Sequence, residues 1–95
     1  MKTAVELIAE KHAKNMERFP ADLEAEYHLN GELYRAAIFT LTKDARFYPD
    51  NWADWYLDNT MREKDPIENM VNAAALLCAE IERLGRLQET QNPQS

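Results

Sequence analysis

The stretch that most restricts the fold is "KDPIENMVNAAALLCAEIERL", Lys64 to Leu84. Asp65 stands where a carboxylate accepts from a helix's first N–H groups, Pro66 suits the first helical position, and Glu68 completes the start signal. Beyond it Ile67, Met70, Val71, Ala74, Leu77, Cys78, Ile81 and Leu84 recur at spacings of one, three and four. That periodicity predicts a long amphipathic helix whose stripe must be buried against other helices. The Ala73-Ala74-Ala75 run admits a neighbour at close range.

Three further helices are predicted upstream. Thr3 and Glu6 have the spacing of a capping box, so the first helix runs from about Ala4 to Arg18, with Val5, Leu7, Ile8, Met16 and Phe19 apolar and His12 on the same stripe. Pro20 ends it, because its ring cannot continue the hydrogen-bond ladder. A second helix is expected from about Ala21 to Thr42, its apolar side marked by Leu23, Tyr27, Tyr34, Ala37, Ile38 and Leu41. Gly31 falls inside it, and an interior glycine asks for a reason such as close approach of a helix or ligand. Pro49 and Asp50 begin a shorter helix from about Asn51 to Arg62, carrying Trp52, Trp55, Tyr56 and Asn59.

No segment alternates as a strand does, so the expected fold is all-α, a small bundle of three long helices and one short one. Residues 1–87 form a single domain and 88–95 a polar, frayed tail. A chain of 95 residues buries roughly 65% of its unfolded surface, enough for one modest core. Three apolar stripes in so short a chain leave apolar area to spare, and self-association as a homo-oligomer is expected, most simply a symmetric dimer. The formal charge of −6 argues against nucleic-acid partners, which need clustered Lys and Arg. No apolar run approaches a membrane span, no leader pattern is visible, and the single Cys78 cannot form an internal disulfide. The expected location is the cytoplasm, away from membranes.

Candidate chemistry concentrates in "EAEYHLNGELY". Glu24, His28 and Glu32 lie four apart, which on one helix makes a polar stripe of ligand types suited to Mn, Zn or Fe. His12 and either Glu80 or Glu68 are candidates to complete such a site; otherwise the stripe is a polar helix edge. A Mg- or Mn-dependent pyrophosphatase needs carboxylates one turn apart on two facing helices. The second helix offers Glu24, Glu26 and Glu32, but the last has Val71 and Asn72 one turn after Glu68. Catalysis is therefore not the favoured reading, and no cofactor is expected outside it. A pocket requires less: Tyr34, Trp52 and Trp55 supply stacking faces, Arg35 and Arg62 take negative charge, and His28, Gly31 and Glu32 complete the wall. That mixture suits a nucleotide-type ligand, a flat base with an anionic group.

The ordered set His28, Gly31-Glu32-Leu33, Ala36-Ala37, Trp52, Trp55, Lys64-Asp65 and Ala79 to Leu84 resembles a family of small phage- and prophage-encoded helical proteins, over roughly residues 5 to 85. The family has an acidic pair before the His, where this chain has Ala25 and Glu26. The resemblance implies a phage context, with a link to all-α pyrophosphatases of the MazG type. It also implies action in the host cytoplasm, either by sequestering a nucleotide signal of host defence or by blocking a host protein through an acidic surface.

Overall fold

The computed structural model describes residues 2–18, 31–50 and 52–91. Among them are four α-helices, α1 (Ala4–Arg18), α2 (Glu32–Thr42), α3 (Asp54–Arg62) and α4 (Pro66–Gln91), a 3-10 turn (Ala45–Phe47) between α2 and α3, and no strand. The protein is an all-α bundle.

The first predicted start signal closes as hydrogen bonds and the second does so at Asp65, whose own N–H donates to Glu63 Oε1 at 2.9 Å rather than to Glu68. The Glu6 N–H donates to Thr3 Oγ1 at 3.2 Å while Glu6 Oε1 accepts from the Thr3 N–H at 3.1 Å. The Ile67 N–H donates to Asp65 Oδ1 at 3.0 Å, and α4 starts at Pro66. Its far end runs through Gln91, past residue 87, where the polar tail was expected to begin.

The spine of the bundle is α2 packed antiparallel on α4. At one end Asn69 Nδ2 donates to the Thr40 carbonyl at 2.8 Å; at the other Glu32 lies in the electrostatic field of Arg83. The interface is built of Leu33, Ala36 and Ala37 against Ala73, Leu76 and Ala79, all almost fully buried. Alanines on both sides bring the backbones close, and Leu33 and Leu76 fill the remaining space. α1 lies against α4 on another side, where His12 Nε2 meets Glu82 Oε2 at 3.0 Å and Met16, one turn on, packs against the central cluster.

The end of α2 is fixed by polar contacts. Lys43 takes the left-handed conformation (φ 59°) and its N–H donates to the Phe39 carbonyl. Its ammonium donates to the carbonyls of Thr60, at 2.9 Å, and Glu63, which ties the C-terminal ends of α2 and α3 together. Thr40 Oγ1 donates to the Ala36 carbonyl at 2.7 Å; having one proton, it accepts from the Tyr56 hydroxyl at 2.8 Å. Tyr48, Trp52 and Tyr56 form an aromatic group beside Phe39, with Tyr48 edge-on to Phe39 at 5.1 Å and Trp52 edge-on to Tyr56 at 5.6 Å.

Three expectations need correction. α2 does not pass through Gly31, which is its N-cap at φ 70°. Glycine enters this left-handed region without the steric cost a Cβ brings, and a Cβ there would come no nearer than 4.0 Å to Tyr34 Cβ. Backbone conformation, not close packing, is therefore the reason for Gly31. Secondly, α3 starts at Asp54 rather than near 51: Ala53 is extended, and its carbonyl accepts from the Tyr48 hydroxyl. Thirdly, the apolar stripes of α2 and α4 do not form the core. Tyr34 and Leu41 on α2, and Ile67, Met70, Leu77, Ile81 and Leu84 on α4, are exposed. The alanine-rich faces, which carry less apolar bulk, pack inward because they allow the closest helix contact.

Candidate functional site

Of the expected metal stripe, Glu24 and His28 lie outside the described residues. α2 begins at Glu32, directly after its N-cap Gly31. Glu32 is instead buried at the start of α2, 6% exposed, near Arg83. Arg83, only 3% exposed, forks onto Glu80: Nε donates to Oε1 at 2.7 Å and Nη2 to Oε2 at 3.1 Å. These bonds to Glu80, with the negative charge of Glu80 and Glu32, raise the guanidinium's pKa above its ordinary value, against the opposing effect of desolvation. Two carboxylates on facing helices are thus brought together around one cation. Glu80 spends both oxygens on that cation, which leaves it poorly placed as a metal ligand. Of the other candidates, His12 pairs with Glu82 rather than Glu80, and Glu68 is exposed at the start of α4. Among the described residues no three His, Cys, Asp or Glu side chains are arranged to hold a metal ion.

The expected ligand residues divide into two groups. Gly31, Tyr34 and Arg35 belong to the N-terminal end of α2, where Arg35 Nη2 donates to the Arg46 carbonyl at 3.2 Å and Tyr34 is exposed. Arg62 ends α3, beside the other end of α2 by way of Lys43. Eleven helical residues separate those ends, about 16 Å at 1.5 Å per residue. The expected residues are therefore spread along α2 and α3, with the Arg35 guanidinium reaching the Arg46 carbonyl beyond the C-terminal end of α2.

Within the second group the geometry is coherent. Trp55, Asn59 and Arg62 follow one another at four and three residues along α3, on its outer face. Trp55 is 51% exposed and stands edge-on to Tyr56 at 5.9 Å. Asn59 Oδ1 accepts from Arg62 Nη2 at 2.7 Å, which orients the guanidinium along the same face. Trp52 is half-buried in the aromatic group, edge-on to Tyr48 and Tyr56 and packed against the central cluster. Behind it, burial raises the pKa of the Tyr56 hydroxyl against the lowering effect of its bonds to Thr40 and Thr60.

Sequence reasoning did not single out Asn59 or Arg83 as site residues. Asn59 was legible as a member of the α3 repeat one turn before Arg62. Arg83 lies in a run of a kind found in many soluble helices, and only its burial distinguishes it.

The chain matched no protein-family model, no curated protein and no solved structure in the three comparisons made.

Proposed function

We propose that this protein binds, without converting, a small nucleotide-type molecule on the outer face of α3. The observation that carries the reading is the alignment of the half-exposed Trp55 ring with Asn59 and Arg62, the last two joined at 2.7 Å. An indole face stacks on any base. A carboxamide reads polar edges, and a guanidinium takes phosphate through a planar fork with donors beyond the one given to Asn59. The resemblance to phage-encoded proteins extends the proposal to sequestration of a nucleotide signal in the host, with a host protein as the alternative partner.

The test is calorimetric titration with ATP, cyclic AMP and a cyclic dinucleotide. At least one is expected to bind, and Trp55→Ala and Arg62→Ala are each expected to weaken it about tenfold or more, since stacking alone is worth roughly 1–3 kcal/mol per base. Equal affinity in both variants, with unchanged helical content, refutes the α3 face.

One observation favours a second reading, metal-dependent pyrophosphate hydrolysis: the buried carboxylates of Glu32 and Glu80, on facing helices, both act on Arg83. It predicts Mg- or Mn-dependent cleavage that Glu32→Gln abolishes. The bidentate bond from Arg83 to Glu80 weighs against it.

A further inference from the structure

On α4, Ile67, Met70, Ala74, Leu77, Ile81 and Leu84 follow one another at three, four, three, four and three residues, the alternation that keeps a seam of side chains facing a partner helix. In the monomer five of these six are exposed, Ile81 by 68%. Tyr34, Ile38 and Leu41 form a matching line on α2, with Tyr34 and Leu41 more than half exposed. The antiparallel pairing sets Leu41 beside Met70 and Tyr34 beside Leu77 and Ile81. Going round each helix in turn, α1 and α3 fall on one side of the α2–α4 layer and both apolar lines on the other. Among the described residues the bundle is thus a layered structure with no element against one apolar face.

We propose that this face is closed by the same face of a second copy, so that α2 and α4 of two chains form the core of a four-helix dimer. Three observations select a second copy as the occupant. Taking about 200 Å² for a fully exposed large apolar side chain, the exposures correspond to roughly 700 Å² of apolar surface per chain, close to the roughly 800 Å² per partner of a standard stable interface. The seam contains no Asp, Glu, Lys or Arg, so the chain's charge of −6 is not concentrated across the contact. The heptad spacing of α4 is also self-complementary, as a two-fold interface requires. Ala74 and the half-buried Cys78 near the middle of the seam let the two α4 helices approach there.

Sedimentation equilibrium of the full chain tests this directly. The mass expected is twice 11.1 kDa. Ile81→Glu places a charge where the monomer already meets water, and is expected to halve the mass with helical circular dichroism retained. Val5→Glu, on α1 away from this face and 77% exposed, is expected to leave the dimer intact. A wild-type chain that sediments at 11.1 kDa overturns the proposal. So does a dimer that survives Ile81→Glu, or one that Val5→Glu dissociates equally.

Discussion

Replacing Arg83 with Met removes the cation from between two buried carboxylates while keeping most of the side chain's apolar volume. Glu80 and Glu32 are 8% and 6% exposed, so water does not readily take the place of the guanidinium. Breaking a buried pair by deleting one partner typically costs about 3–5 kcal/mol, because the charge left behind is uncompensated. Against the roughly 5–15 kcal/mol that stabilises a domain of this size, that is a fifth or more of the total, equivalent to a fall in Tm of roughly 12–40 °C. The loss should depend on pH with a definite sign. In the variant the buried Glu80 carboxylate loses the guanidinium that both of its oxygens accept from, and burial without that cation favours the neutral acid. The folded state therefore binds protons more readily than the unfolded one, and its stability falls as pH rises and that acid ionises. Urea unfolding of wild type and Arg83→Met at pH 4.5 and 7.5, at one fixed protein concentration, is expected to show a smaller difference at the lower pH. A further variant, Glu32→Leu with Glu80→Leu and Arg83→Met, should recover most of the stability, since a buried ionic group replaced as a unit by apolar side chains is often neutral or stabilising. A loss below about 1 kcal/mol in Arg83→Met, or one that does not shrink on acidification, would refute the reasoning.

Gly31→Ala should destabilise by about 1–2 kcal/mol, the cost of a Cβ in the left-handed region, and Gly31→Asn by less; equal Tm values for all three proteins would count against the assigned backbone. Asp44 caps the 3-10 turn, accepting from the Arg46 guanidinium and backbone N–H, which lower its pKa from 3.8 to about 2. A depressed folded pKa means that this contribution is present above 3.8 and disappears as pH falls through about 2, and carboxyl NMR titration should find that midpoint for Asp44. At the alkaline end, burial raises the pKa values of Tyr48 and Tyr56, so both rings stabilise the fold below pH 10 and cease to do so as they ionise above it. Absorbance titration should show Tyr48 and Tyr56 ionising late, together with the loss of structure.

The starts of α1 and α4 were legible because local chemistry fixes them: Thr3 and Glu6 bond each other, and Asp65 accepts from the Ile67 N–H just beyond Pro66. The break at Gly31 was not, because Leu23 to Leu41 keeps a helical apolar rhythm across it and periodicity carries no record of one residue's φ. The inward faces of α2 and α4 were misjudged for a related reason. Apolar rhythm finds the bulky stripe and, of the contact, Ala37, and the triple-alanine run pointed to Ala73; Ala36 and Ala79 join the contact because they are small. The exposed stripes then became informative in their own right, as the surface a second chain would cover. In the candidate site, Trp55 and Arg62 were within reach of the sequence because α3 sets them seven apart. Their separation from Gly31 and Tyr34 depends on the Lys43 clamp at the far end of α2, which only the folded chain reveals.

The central claim, binding without conversion, is tested most directly by a thermal-shift screen against linear and cyclic nucleotides, with and without Mn²⁺, followed by chromatography of each nucleotide that shifts Tm. The account predicts at least one nucleotide that raises Tm in the absence of metal and is recovered intact. A shift that requires Mn²⁺ and returns a cleaved nucleotide, or no shift with any of them, would contradict it.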